Sequence, residues 1–302
     1  MSVAFPEIRV GDPVRHENLA VFPLFSPPST AVDYRLSHEA LDAQVVTVRE
    51  VSEAGSVPDL LVENKGDVRV LFLEGEELVG AKQNRILNTS VLVAAHSTTK
   101  IPVSCVERGR WRFRTASFSS GGTHSPSKLR HFLKASVSRS VKAGGSHRSD
   151  QGAVWQEVDR QQAALGAHSG TSAMSDTFAM HRKRLDDFRE KIPYVEGACG
   201  AAVAVGGKVV AIDLFDKPST CKKVWNRLMS GFVLDSLESD QAERPVEPPD
   251  VERLLGNLGQ FHWEQAPAVG EGAEDRAESA TGDHASALAF GDVLLHGSVV
   301  CQ

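Results

Sequence analysis

Alternation of apolar and polar positions dominates the first third of the chain. Residues 45–51 (Val-Val-Thr-Val-Arg-Glu-Val) place β-branched side chains at every second position, as a strand with one buried face requires. Apolar runs at Leu60-Leu-Val-Glu, Val68-Arg-Val-Leu-Phe-Leu, Ser90-Val-Leu-Val-Ala and Lys100-Ile-Pro-Val-Ser-Cys-Val-Glu read the same way. Turn-forming Asn64-Lys-Gly-Asp and His96-Ser-Thr-Thr separate them. Leu19-Ala-Val-Phe-Pro-Leu-Phe is a further strand, and Pro23 is expected to push it to a sheet edge. Short strands at close spacing predict an antiparallel β-sandwich or partial barrel over residues 1–118.

The period then changes to that of a helix. Ser125-Pro126 supplies a cap and a first-turn proline, and Leu129, Leu133, Val137 and Val141 recur every fourth residue. A second helix is expected over 151–165. A third, capped by Ser175 or Asp176, carries Phe178, Leu185, Phe188 and Ile192 to Pro193. Gly206-Gly207 between two apolar runs predicts a hairpin at 200–215, because glycine accepts the positive φ of a two-residue turn. A helix over 219–237 follows, then an acidic, proline-rich linker at 238–250 and a short helix at 251–258. Residues 264–283 are acidic and read as a mobile loop. The last two apolar runs, from Ala287 and from Val293, predict a hairpin that rejoins the sheet. The fold class expected is therefore α+β, in one domain spanning 1–302.

Composition adds little until charge is followed along the chain. The net charge of −6 conceals 17 Lys and Arg against 8 Asp and Glu over 100–191, and 3 against 13 over 235–283. A basic middle and an acidic tail point to an anionic ligand, or to a partner within the chain. The N-terminal residues lack a basic start and an apolar core, so no leader is expected, and no apolar run is long enough to span a membrane. The four cysteines, Cys105, Cys199, Cys221 and Cys301, form no CxxC pair, which fits a reducing cytoplasm rather than a disulfide framework. No histidine spacing matches a metal motif, and the sequence names no cofactor.

Chemistry concentrates in Glu74–Trp111, which reads EGEELVGAKQNRILNTSVLVAAHSTTKIPVSCVERGRW. On one strand Glu74 and Glu76 share a face, and Lys82, Gln83, Asn84 and Arg85 crowd the next turn. These supply acceptors, donors and fixed positive charge, which suit a ligand bearing phosphate and hydroxyl groups. Arg108, Arg110, Arg112 and Arg114 recur at every second position and would form one cationic face of a strand. Ser119-Ser-Gly-Gly-Thr-His leads into the helix start at Ser125-Pro126, where backbone N–H groups could cradle a phosphate. Cys105 in an apolar strand reads as a small buried hydrophobe, Cys199 as better exposed, and Asp213 as the cap of a turn.

In Gly75-Glu-Glu, Gly80-Ala-Lys-Gln-Asn-Arg, Asn88-Thr, Ile101-Pro-Val-Ser-Cys-Val-Glu and Trp111 the chain resembles a bacterial family of unknown function. That family is named for its association with ADP-ribosylglycohydrolases and rhodanese–phosphatase superfamily proteins. The resemblance extends more weakly through Cys199-Gly200 and Asp213-Leu-Phe215, and it implies a neighbourhood of ADP-ribose or NAD-derived chemistry.

The function expected is binding of a phosphorylated, nucleotide-like small molecule, with hydrolysis or transfer as a further step. Glu76 and Glu107 are the candidate acid or base. Glu74, Lys82, Gln83, Asn84, Arg85, Asn88, Arg110 and Arg112 are the candidate ligand contacts. The alternative is a non-catalytic partner or sensor, in which the polar stretch is structural and the charged middle docks another protein. Nucleic-acid binding ranks third, since neither aromatic platforms nor a recognisable module accompany the basic middle.

Overall fold

The structure is a computed structural model that describes residues 5–240 and 244–302. The chain opens with strands β1 (Arg9–Val10), β2 (Val14–His16), β3 (Leu19–Phe25) and β4 (Tyr34–Leu36), then helix α1 (Ser37–Asp42). Strands β5 (Val46–Glu50), β6 (Asp59–Asn64), β7 (Arg69–Phe72), β8 (Glu76–Gly80), β9 (Arg85–Leu87), β10 (Val91–Val93), β11 (Ser97–Cys105) and β12 (Phe118–His124) follow. Four helices come next: α2 (Ser127–Lys142), α3 (Gln151–Ala164), α4 (Met174–Met180) and α5 (Arg182–Lys191). The hairpin β13 (Gly200–Val205) and β14 (Lys208–Phe215) leads to α6 (Pro218–Glu238) and α7 (Pro248–Asn257). Strands β15 (His262–Ala266), β16 (Ala273–Glu278), β17 (His284–Phe290) and β18 (Val293–Val300) close the chain.

These strands make an α+β architecture. Six of them close a barrel in the order β11-β6-β5-β12-β8-β9. Strand alternation sends Val46, Val48, Leu60, Val62, Leu78, Leu87, Ile101, Val103 and Phe118 into its lumen, where they pack as one cluster. A three-stranded sheet, β10-β7-β4, lies beside it. The remaining strands form a nine-stranded sheet in the order β1-β3-β13-β14-β18-β17-β16-β15, with β2 also on β3. Helix α6 covers one face of this sheet through Val224, Trp225, Leu228 and Phe232. Val251, Leu258 and Phe261, from α7 and just beyond it, cover the other. Helices α2, α3 and α4 cover the outer wall of the barrel around Ile86.

Gly206 and Gly207 turn the β13–β14 hairpin with φ of 55° and 80°, as the glycine pair predicts. The C-terminal hairpin β17–β18 joins the sheet by pairing β18 with β14. Three expectations change. Strand β3 lies inside the sheet between β13 and the β1/β2 pair; Pro23 is tolerated because its missing donor falls opposite Gly11, where β1 gives way to β2. The third helix is two, α4 and α5, which meet at His181. Nearly half of 264–283 is sheet rather than loop: β15 and β16 extend it, with Glu274, Asp275 and Arg276 buried. The linker at 238–250 is helical from Pro248, and its positions 241–243 lie outside the described residues.

Candidate functional site

The polar stretch that opens at Glu74 is divided among three places by the barrel wall. Glu74 sits in a turn and Gly75, at φ 78°, separates it from β8, so Glu74 and Glu76 do not share a strand face. Glu74 accepts from Lys134 Nζ at 2.6 Å in a layer between barrel and large sheet. Burial works to raise its pKa, but Lys134, Arg130 and Arg276 outweigh burial and hold it below the carboxylate range. The same layer holds Asp213, a buried ion-pair partner of Arg130 rather than the cap of a turn. Asn88 is also there, between Ser104 Oγ at 2.6 Å and the His147 carbonyl at 2.9 Å. Glu76 accepts from Ser37 Oγ, from the Leu73 N–H at 3.2 Å and from Arg227 at 3.3 Å.

The second place is the mouth of the barrel. Arg85 lies opposite both Leu78 and Cys105, so it shares their face and enters the lumen above the apolar cluster. Glu50, at the end of β5, enters from the far wall. Arg85 Nη1 donates to Gln83 Oε1 at 3.0 Å, while its Nε and Nη2 have no hydrogen-bond partner; Nη2 stands 3.9 Å from Glu50 Oε1. Glu50 Oε2 is likewise unpartnered. Arg85 is fully buried, and desolvation pulls its pKa below the usual arginine value. Lys82 caps the mouth: its Nζ donates to the Ala54 carbonyl at 2.9 Å and lies 5.2 and 5.0 Å from the rings of Trp111 and Phe113. Those two rings are about half exposed, at 47% and 53%.

Around this seat the remaining candidates form a rigid frame. The segment after β11 is irregular, so Arg108 to Arg114 do not form a strand face. Arg110 instead folds back, giving hydrogen bonds to Glu107 at 2.8 and 2.6 Å, Asn84 Oδ1 at 3.2 Å, and the carbonyls of Gly80, Ala81 and Arg112. Arg112 and its exposed neighbours stay at the surface, Arg108 in an ion pair with Asp159. Burial pushes the Glu107 carboxyl up, yet the Arg110 bonds, the Asn84 N–H and Thr171 hold it below the usual range. Gln83 donates to the Glu107 carbonyl at 2.9 Å and accepts from Cys105 Sγ at 3.1 Å. Desolvation raises the Cys105 thiol, as a buried small hydrophobe requires. Cys199 is buried as well, its Sγ bonded to the Leu24 carbonyl.

The third place lies outside the barrel wall. Glu77 pairs across from Ile86, facing away from the lumen. It lines a cleft of about 390 Å³ with Gly121, Thr123, Ser175, Arg182, Asp186 and Arg189. Ser175 accepts from Asn84 Nδ2 at 3.2 Å, which ties this cleft to the frame of the barrel mouth. Sequence reading passed over Glu50, Glu77, Arg182 and Arg189; the signal for Glu77 was its position one residue from Glu76, which sends it to the opposite face. The expected phosphate cradle is absent, because 119–124 is strand β12, and the N-terminus of α2 gives its Ser127 N–H to Asp235 at 2.8 Å.

One cluster of metal-ligand type was invisible to motif spacing. Ligand atoms of His16, Glu17 and Asp187 lie within 4.8 Å of one another, with His16 bonded to Asp187 and Glu17 paired to Arg184.

Among the described residues no helix is long and apolar enough to cross a membrane. No curated protein and no solved structure matches the chain. The model of one family, the ARG and Rhodanese-Phosphatase-superfamily-associated Protein domain, matches residues 7–300. With blocks such as Gly80–Arg85 and Ile101–Glu107 building the barrel mouth, and a match that runs almost end to end, the chain belongs to that family.

Proposed function

We propose that the barrel mouth binds a phosphorylated, nucleotide-like small molecule, in keeping with a family linked by its name to ADP-ribose chemistry. The observation that carries this reading is the unpartnered trio at the mouth: Arg85 Nε, Arg85 Nη2 and Glu50 Oε2. A buried polar group without a partner costs about 1–3 kcal/mol, and more when charged. An occupant that accepts from Arg85 and donates to Glu50 removes that cost. Phosphate and ribose hydroxyl groups together meet the requirement. Trp111, half exposed beside Lys82, offers a ring on which a base can stack.

Binding is better supported than turnover. Glu107 is the acid-or-base candidate nearest the mouth, but it would have to give up both Arg110 bonds to act. Glu76 faces Ser37 and Arg227 away from the seat. A second reading, docking of a protein partner, draws on the two neighbouring exposed rings of Trp111 and Phe113.

Thermal-shift titration with ADP-ribose, NAD, ADP and ribose phosphates tests the proposal. A ligand at about 100 times its Kd stabilises the fold by about 2.7 kcal/mol. The expected result is a shift that disappears in Trp111→Ala and in Glu50→Gln with the unliganded Tm of Trp111→Ala close to wild type. No shift with any of these compounds overturns the ligand reading, and capture of one specific partner lost in Trp111→Ala then favours docking. Retention on nucleic acid that collapses with added salt would support the third alternative instead.

A further inference from the structure

The outer cleft differs in kind from the barrel mouth. Its lining joins one deeply buried carboxyl, Glu77, with two exposed arginines of α5. Glu77 Oε2 accepts from Thr123 Oγ1 at 2.5 Å, and Glu77 Oε1, sealed from solvent, has no partner. Arg182 makes no ion pair among the described residues, and Arg189 is held by a 3.2 Å surface pair with Asp186, an interaction worth little in water. Thr123 and Ser175 add hydroxyl groups to the walls. The cavity is large enough for a small organic ligand.

We propose that this cleft is a second small-molecule site, which takes a phosphate or sulfate ester group between Arg182 and Arg189 while Glu77 donates a hydrogen bond to it. The proposal does not depend on the barrel-mouth reading, since the wall between β8 and β9 separates the two seats. The charged groups around Glu77 define its state. Burial raises its pKa most, and the carboxylates of Glu107 and Asp176 raise it further, against the opposing Thr123 bond, to about 7. Asp186, Arg182 and Arg189 face the cleft from α5. With Oε2 occupied by Thr123, the proton belongs on Oε1. An ionised Glu77 would repel an oxyanion; a neutral one donates to it. Anion binding is therefore coupled to proton retention, and affinity falls by up to tenfold per pH unit once Glu77 ionises.

Sulfate is a suitable probe because its charge stays constant across the range. Calorimetric titration of the full chain with sodium sulfate, at constant ionic strength and at pH 6 and 8.5, is expected to show saturable binding that weakens at least tenfold at the higher pH. Glu77→Gln keeps a neutral donor, so it should bind at both values with a flat profile. Arg182→Ala with Arg189→Ala should abolish binding; both residues are exposed, so the fold is not at risk. Trp111→Ala should leave it intact. A sugar phosphate binding more tightly than sulfate, with the same dependence on Arg182 and Arg189, would assign the site to phosphate esters. The proposal is overturned if no saturable binding occurs, if wild type and Glu77→Gln share one pH profile, or if Mn²⁺ rather than sulfate binds and requires Glu77.

Discussion

Arg130 meets Asp213 through two hydrogen bonds, 2.8 and 2.5 Å long, with both side chains sealed from solvent. His296 adds a contact to the same carboxylate at 3.2 Å, and Ser90 holds the other nitrogen of that ring at 2.8 Å. Burial opposes ionisation of Asp213, but Arg130 and His296 outweigh it and hold the group far below the carboxylate range. Removing one member strands the other. Asp213→Ala should cost about 3–5 kcal/mol in urea unfolding, while an apolar pair at both positions should recover most of the loss. A depressed carboxylate contributes its stability above the unfolded pKa of about 3.9 and loses it only at lower pH, so the deficit should hold steady from pH 5 to 8.

Asp235 runs in the opposite direction. Burial pushes its pKa up to about 7 despite the N–H of Ser127, and its Oδ1 has no partner. A raised carboxyl gives stability below its unfolded pKa that is lost as pH climbs through the folded value. Asp235→Asn should therefore match wild type near pH 4 and become increasingly more stable up to pH 7, by at most about 4 kcal/mol. Melting curves across that range check the sign. A constant difference would show that Asp235 does not titrate there.

Thiol chemistry gives a third check. Cys105, Cys199 and Cys221 are buried, and desolvation raises Cys105 and Cys221 and pushes Cys301 up to about 12. A disulfide reagent at pH 8 should find less than one fast-reacting thiol in the native chain and all four after denaturation. A rapid reaction at Cys105 would contradict the packing at the barrel mouth.

Gly231 sits inside α6, where alanine would ordinarily gain about 1 kcal/mol of helix propensity. A Cβ there would come within 2.6 Å of the Ser125 carbonyl oxygen and 2.8 Å of that of His124, both backbone atoms. Gly231→Ala should therefore destabilise by about 1–3 kcal/mol, read as a lowered Tm. A stabilised variant would mean that α6 and the end of β12 are less closely packed.

Legibility followed locality. The Gly206–Gly207 turn, the four-residue period of α2 and the extent of α3 are written in neighbouring residues, and all appear in the fold. Strands β15 and β16 were read as a loop because their charges look solvated. In the fold, Glu274 is paired with Arg276 at 2.7 Å and hydrogen-bonded to His147 at 2.9 Å, a residue more than a hundred positions earlier. The arginine series from Arg108 misled for a related reason, since period two alone does not supply a strand partner. At the candidate site, the residues of the mouth are gathered from the predicted stretch, with Glu50 added from β5. Which face of a strand each acid takes depended on where β8 begins, and Gly75 moved that boundary by two residues.

The order of strands also governs how the chain must be made. Strand β3 pairs with β13, which follows only after the whole barrel and five helices, and β14 waits for β18 near residue 300. A ribosome therefore releases β3 with β1 and β2 already made on one edge, but long before β13 exists to cover the other. The barrel, assembled from nearby segments, can close while the apolar strand from Leu19 to Phe25 still has one edge open, and that edge stays uncovered until residues 200–205 have been made.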